Sequence, residues 1–340
     1  MTVDLMAAIE ITTVCNFACP HCFTDSCASR KNELSFDQIK KLLDDLTALG
    51  VTTLAISGGE PFLRQDLHEI MSFGKKLGME FTIVTNGSLC NEENLRLLKE
   101  DNLVSLQVSL DGPDPETNSK IRACSKDDFY RAIRTMRIAR DLGIYVTMGT
   151  FLHKDTIDML NEFVSLADAL GVCNLRYASF VPTGRGKNIK IIKSVQPSLR
   201  QLKNFVAEVE KINEAQRSVK ILLDCSTGPI SSKYPYTCTA GTNIIYIGAS
   251  GDVFPCTALS SREMSLGNIL TSPLKEIVNK AGEFQKTLTD KSQKLGKCSR
   301  CTNDNCSGGC PGVISAYYGR FDLSFPFCTV YHGSGEPAEH

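Results

Sequence analysis

Val14-Cys15-Asn16-Phe17-Ala18-Cys19-Pro20-His21-Cys22 is the stretch that decides how this chain is read. It follows directly on a predicted strand at 8–13, so the spacing Cys-x3-Cys-x2-Cys puts three thiols on one short loop at a strand end. Four cysteines usually hold a cubane iron–sulfur cluster. Three would leave one iron open to a ligand that is not protein. Two plainer readings stand beside this one: a zinc site, and three unrelated thiols.

Working outward, a second predicted strand at 51–57 runs into Gly58-Gly59-Glu60-Pro61. Two glycines allow a sharp turn and a close approach of backbone to a ligand. Between these motifs Ser35, with Gln38 three residues on, reads as a helix N-cap. Phe36, Ile39, Leu42, Leu43, Leu46 and Leu49 then recur at helical spacing up to Gly50. The alternation continues, with helices predicted at 63–77, 92–100, 128–142 and 156–170 and strands at 80–85, 104–110, 144–151 and 174–181. Strand–helix units with short connections imply a parallel sheet with helices outside it, an α/β class.

The fourth strand alternates Val104, Leu106, Val108 and Leu110 with Ser105, Gln107, Ser109 and Asp111. A parallel sheet packed on both sides would be apolar on both faces. The polar set therefore predicts a lumen that holds a ligand, lined also by Glu10, Thr12, Tyr145 and Thr147; a locally solvated strand is the alternative. Pro182-Thr183-Gly184-Arg185-Gly186 reads as a loop. The basic stretch 187–193 after it reads as a solvated surface or as a bridge over the lumen. A helix at 197–213 and a short strand at 219–223 follow, and the composition shifts to cysteine, glycine and turns after Asp224.

Charge and length exclude several classes. The 340 residues carry 37 Lys+Arg against 38 Asp+Glu, a net charge of -1, which gives no electrostatic case for nucleic acid. The first residues lack the basic and apolar pattern of a signal peptide. No apolar run approaches the roughly 18 residues of a membrane span. Fifteen cysteines, odd in number and clustered, point to metal ligation in a reducing cytoplasm rather than to disulfides. An anaerobic or microaerobic setting is expected, because exposed clusters tolerate oxygen poorly. The tail 333–340 is expected to be disordered.

The second cysteine group begins at Cys238, with Gly251 and Cys256 after it. Cys298-x2-Cys301-x4-Cys306-x3-Cys310 and Cys328 complete it. Segments 243–248 and 253–254 flank Ala249-Ser250-Gly251-Asp252, a hairpin signal.

Together these motifs resemble the radical S-adenosylmethionine (SAM) enzymes, and the seven later cysteines resemble the SPASM extension of one branch, over about 9–328. One departure is that four residues, not the usual five, separate Cys301 from Cys306. The resemblance implies a six-stranded parallel (β/α)6 partial barrel at 1–186, a bridging helix and strand at 187–224, a SPASM domain at 225–332 and a tail at 333–340. It implies that Cys15, Cys19 and Cys22 hold the [4Fe-4S] cluster that cleaves SAM. SAM itself would meet His21 at the adenine, Gly58, Gly59, Glu60 and Pro61 at the amino group, Asn86 at the ribose or methionyl end, Ser109 at the ribose and Arg122 at the carboxylate. Arginine suits that last role through bidentate geometry; Ala123 stands where the family often has glycine.

Two auxiliary [4Fe-4S] clusters are implied as well. The outer falls to Cys298, Cys301, Cys306 and Cys328, and the inner to Cys238, Cys256 and Cys310. Some relatives place a further cysteine where this chain has Ser232, so the inner site takes either Cys225 or an iron open to substrate. Structural zinc is the alternative for the region. Cys27, Cys90, Cys124 and Cys173 fit no cluster and read as buried apolar residues.

The implied chemistry is reductive cleavage of SAM to a 5'-deoxyadenosyl radical that abstracts a substrate hydrogen, with electrons from a reductase, flavodoxin or ferredoxin. The run resembles peptide maturases of the pyrroloquinoline quinone and mycofactocin type, which implies a ribosomally made peptide as substrate. About ten residues precede the first strand. They leave no room for an N-terminal peptide-recognition domain, so a separate recognition protein or direct docking is expected. The alternatives are a small molecule (a tetrapyrrole side chain, a sugar or an aminoglycoside), sulfatase maturation and a non-enzymatic electron carrier. Thr257 counts against sulfatase maturation, because those enzymes carry an aspartate base there. The Gly58–Pro61 motif counts against a carrier, which needs no SAM pocket.

Overall fold

Apolar residues at helical and two-residue periods set the layers. The computed structural model describes residues 5–26, 32–215, 218–230 and 236–330. In chain order its elements begin with β1 (Met6–Glu10), α1 (Phe36–Ala48), β2 (Thr53–Ser57), α2 (Leu67–Lys76), β3 (Glu80–Thr85), α3 (Glu92–Glu100) and β4 (Leu103–Ser109). They continue with α4 (Pro115–Arg122), α5 (Lys126–Asp141), β5 (Tyr145–Phe151), α6 (Leu160–Leu170), β6 (Asn174–Ala178), α7 (Ile189–Val195), α8 (Leu199–Glu214) and β7 (Lys220–Leu223). The last are β8 (Ile244–Ile247), β9 (Asp252–Phe254), β10 (Gly267–Asn268), α9 (Leu274–Thr289) and α10 (Pro311–Tyr318). Ser35 caps α1 through the expected capping box with Gln38.

The strands form one sheet in the order β10-β9-β8-β1-β2-β3-β4-β5-β6-β7. Pairing is parallel from β8 to β7 and antiparallel at β8–β9 and β9–β10. The expected six-stranded partial barrel is corrected: among the described residues the sheet has ten strands. β7 joins β6, and β8, from the cysteine-rich segment, pairs with β1 in the register Met6↔Ile244 to Ile9↔Ile247. The reason is physical. β1 has one neighbour in β2 and would otherwise present an unpaired apolar edge; the largely buried Ile-Ile-Tyr-Ile of β8 covers it.

Helix α2 starts at Leu67 rather than at 63, because Pro61–Leu63 forms a 3-10 turn and Arg64 is extended. α4 was not legible: its Pro-Glu-Thr-Asn-Ser-Lys-Ile-Arg has no apolar stripe, and only Asn118 and Ile121 are buried. On β4 the polar face is present, with Ser105, Gln107 and Ser109 half-buried while Leu106 and Val108 are buried. Val104 drops out of the alternation at a register shift, since Phe81 pairs with Leu103 and Thr82 with Ser105. Of the other expected lumen residues Glu10, Thr12 and Thr147 are buried, but Tyr145 is 49% exposed at the start of β5. The basic stretch is largely the helix α7. Its lysines are exposed, while Ile191, Ile192 and Val195 pack on Ile121, Phe151 and Phe180, near the C-terminal ends of β5 and β6.

Candidate active site and cluster ligands

The three-cysteine loop leaves β1 still paired to the segment after β2. Ile11 N–H donates to Ser57 O at 2.9 Å, Gly59 N–H to Thr12 O at 2.7 Å and Glu60 N–H to Val14 O at 2.8 Å. Gly58 has φ +146°, and a Cβ there would stand 2.5 Å from Thr12 O. A Cβ on Gly59 would stand 2.5 Å from the Val14 carbonyl carbon and 3.0 Å from the Cys15 nitrogen. The glycine pair was expected to admit a ligand. The pair also lies against the backbone of Ile11, Thr12, Val14 and Cys15.

Glu60 is fully buried and binds inward. Its carboxylate accepts from Thr85 Oγ1 at 2.7 Å, Asn86 N–H at 2.8 Å and Phe62 N–H at 3.2 Å. Burial raises its pKa, and those bonds oppose the rise. Pro61 is buried at the start of the 3-10 turn. Asn86 donates through Nδ2 to Asn16 Oδ1 at 2.9 Å and accepts at Oδ1 from Ser88 N–H and Ser88 Oγ at 2.9 and 2.7 Å. Asn16 closes the ring by donating to Ser88 Oγ at 2.8 Å. Thus Glu60 and Asn86, both expected to meet SAM, tie the ends of β2 and β3 to the loop that carries the cysteines. Asn16 and Ser88 were missed; Asn16, between two of the cysteines, was the available signal.

The other end of the loop holds an ion pair between buried Asp111 and half-buried Arg122. Arg122 Nη1 donates to Asp111 Oδ2 at 2.7 Å, and His21 Nε2 lies 3.3 Å from the same oxygen. Burial works to raise the Asp111 carboxyl, but the Arg122 charge and the His21 bond outweigh it and hold the pKa down at about 2. Burial likewise opposes the Arg122 charge, and Asp111 and Cys19 sustain it. Arg122 Nε is buried with no acceptor. The His21 ring packs against Phe151, with centroids 4.4 Å apart. Ser109 is half-buried, two residues before Asp111. Asp111 was read only as part of the polar face of its strand; the distant pairing with α4 hid its role.

A third clasp comes from the loop after β6. Arg185 donates through Nε to Cys19 O at 2.9 Å and through its backbone N–H to Cys22 O at 3.0 Å. Thr183 Oγ1 donates to Phe23 O at 3.1 Å. Burial pushes Cys15 up to about 11 and raises Cys19, so ligation at either thiol releases a proton.

In the cysteine-rich segment Cys298, Cys301, Cys306 and Cys328 line one cavity with Lys291 and Lys297. Cys225, Cys238 and Cys310 all lie near enough to Cys256 for their charge to raise it, after burial. Tyr236 N–H bonds to Asn305 O at 2.7 Å, and Cys238 N–H bonds to Ser307 Oγ at 3.1 Å, which fastens the inner group to the outer.

The donor set fits thiolate clusters. Backbone N–H groups point at sulfur: Phe17 at Cys15 (3.4 Å), Gly308 at Cys306 (3.3 Å), and others at Cys238, Cys256, Cys310 and Cys328. Among the described residues no three His, Cys, Asp or Glu side chains are placed to hold one metal ion. Cys90 packs at the core, Cys124 is half-buried and Cys173 is exposed, against the buried reading for that last residue. Cys27, Ser232 and the tail 333–340 lie outside the described residues.

The Radical SAM superfamily model matches residues 9–167, and the SPASM model, an iron–sulfur cluster-binding domain, matches residues 238–302. The chain carries a radical SAM domain and a SPASM domain. Both domains imply [4Fe-4S] clusters, and the protein is a radical SAM enzyme. Among its relatives is an AdoMet-dependent heme synthase of Methanosarcina barkeri, 29% identical over 96% of this chain and 97% of that protein. Mycofactocin maturase MftC of Mycolicibacterium smegmatis is 28% identical over 97% of this chain and 83% of that protein. Of solved structures, Streptococcus suis SuiB bound to S-adenosylmethionine aligns with TM-score 0.76 at 18% identity, over 97% of this chain and 78% of that one. Native anSMEcpe with bound AdoMet aligns with TM-score 0.75 at 19% identity, over 95% and 94%. These two likenesses show the shared fold. No helix among the described residues is long and apolar enough to cross a membrane.

Proposed function

We propose that this radical SAM enzyme binds its SAM-cleaving [4Fe-4S] cluster through Cys15, Cys19 and Cys22, and oxidatively modifies a ribosomally made peptide. The observation that carries the reading is the cysteine loop itself. It is locked to Gly58–Glu60 and to Asn86, and it ends beside an arginine whose buried Nε has no acceptor. That donor suits the SAM carboxylate; Gly58, Gly59, Glu60 and Pro61 would serve through their backbone, and Ser109, His21 and Asn86 would border the nucleoside. When bound, cluster and SAM supply an electron and a 5'-deoxyadenosyl radical able to abstract a substrate hydrogen.

The chain's own part is to place the substrate carbon and keep water away. Ser105, Gln107 and Thr147 offer polar groups along the inner face of the sheet, and Gln107 accepts from Arg176 Nη1 at 2.9 Å. The apolar side of α7 packs near the strand ends where the cysteine loop sits. The partial-barrel core at 1–186, the bridge at 187–224 and the SPASM unit at 225–332 belong to this reading. So do an outer cluster on Cys298, Cys301, Cys306 and Cys328, an inner one on Cys225, Cys238, Cys256 and Cys310, a flavodoxin, ferredoxin or reductase donor, and a cytoplasmic setting.

One observation favours a second reading, a tetrapyrrole side chain as substrate: the heme synthase relative matches over nearly its whole length. Anaerobic incubation with SAM and either a peptide encoded beside this gene or a propionate-bearing tetrapyrrole, followed by mass spectrometry, separates them. Loss of hydrogen mass from the peptide supports the first reading. Loss of carbon dioxide together with two hydrogens from the tetrapyrrole, with the peptide untouched, replaces it with the second.

A further inference from the structure

Lys294 is 3% exposed, which is rare for a lysine without a partner of opposite charge. Its ammonium donates to Phe321 O at 2.7 Å and, among the described residues, pairs with no carboxylate. Asp290 and Asp322 line a cavity with it, Asp322 paired with Arg320 and Asp290 accepting from Ser292 Oγ. Its stem crosses the Gly308-Gly309 turn, and a Cβ on Gly308 would stand 3.0 Å from Lys294 Cε. That turn joins Cys306 of the outer group to Cys310 of the inner. Burial lowers the Lys294 pKa, and the charges of Cys298 of the outer group, Asp322, Cys238 of the inner group and Asp290 oppose that shift.

We propose that Lys294 is a counter-charge shared by the two auxiliary clusters, fixed between them to favour their reduced forms. The inference rests on the cluster assignment above. One electron taken up by a thiolate-bound cluster adds one negative charge, and a buried ammonium beside it stabilises that charge more than the oxidised form's. Cluster potentials respond to nearby charge and burial in this way. A cation reached by both groups would act on both clusters, along the route by which an electron from substrate could leave.

The test uses the full chain with Cys15, Cys19 and Cys22 replaced by alanine, so that only auxiliary clusters give a signal. Iron is counted, and an anaerobic redox titration is followed by electron paramagnetic resonance. Lys294→Met should lower the reduction equilibrium of both auxiliary clusters, about tenfold or roughly 59 mV for one electron, while Lys294→Arg keeps the parent's potentials; a shift confined to one cluster overturns the sharing. Lys294→Gln retains a donor for Phe321 O and stands in if the methionine variant fails to load. Loss of iron from both neutral variants but not from Lys294→Arg also supports the counter-charge. Parent potentials in an iron-replete neutral variant, or iron loss in Lys294→Arg as well, overturn it. A parent protein without auxiliary iron defeats the cluster assignment instead.

Discussion

Gly59→Ala adds one methyl group at the tightest backbone crossing in the site. Its Cβ would lie 2.5 Å from the Val14 carbonyl carbon and 3.0 Å from the Cys15 nitrogen. Both are main-chain atoms, so no side chain can rotate aside. Relief requires the segment after β2 to part from the cysteine loop. That stretches the bonds from Gly59 N–H to Thr12 O (2.7 Å) and from Glu60 N–H to Val14 O (2.8 Å). Overpacking costs about 1–3 kcal/mol and each weakened hydrogen bond about 0.5–1.5 kcal/mol, so the substitution should destabilise the chain by roughly 2–6 kcal/mol. Gly59 is not in the left-handed region, so the effect is steric. Urea denaturation of the metal-free chain, followed by circular dichroism, should show a lower midpoint. Reconstituted protein should lose about four irons, one cubane. Gly282→Ala is the control: it lies in α9 with open space around it, and should stabilise by roughly 0.5–1 kcal/mol. A Gly59→Ala protein with parental midpoint and iron content would refute the steric argument.

Three further outcomes are expected. The Asp111 carboxyl is held at about 2 against an ordinary 3.8, so its pairing contributes about 2 kcal/mol at neutral pH. That stability is present above pH 3.8 and lost as pH falls through about 2, so Asp111→Asn should flatten the acid limb of the stability curve; an unchanged limb removes Asp111 from that role. Cys225→Ala should alter the iron content or the magnetic resonance spectrum of the auxiliary clusters, whereas an unchanged spectrum would mean that the inner cluster has an open iron. Arg185→Ala removes the charged donor to Cys19 O and should lower retention of the first cluster under mild chelation; retention equal to the parent's would show that the clasp is dispensable.

The local elements were legible where one period dominated. β3 and α3 have the bounds their alternation and helical stripe foretold. The Ser35–Gln38 capping box and the hairpin of β8 and β9 also follow from local spacing. What eluded the sequence was long-range. α4 has no apolar stripe, yet it delivers Arg122 to Asp111, eleven residues earlier. The β1–β8 pairing joins segments more than two hundred residues apart, and nothing local in Ile244–Ile247 names its partner. The Cys-x3-Cys-x2-Cys spacing is local and stands out in the sequence, whereas the first loop's supports were only half legible. Glu60 and Asn86 were picked out for a ligand, but they also hold one another. Their partner Asn16 sat unnoticed between two cysteines.

The central claim is that three cysteines on one loop create a SAM-cleaving site. The direct measurement is the yield of 5'-deoxyadenosine from the reconstituted chain with SAM and dithionite under anaerobic conditions, with iron counted in parallel. About twelve irons, consistent with three cubanes, and SAM turnover that is abolished in Cys19→Ala are the predicted result. Absence of 5'-deoxyadenosine from iron-replete protein, or zinc in place of iron, would contradict the account.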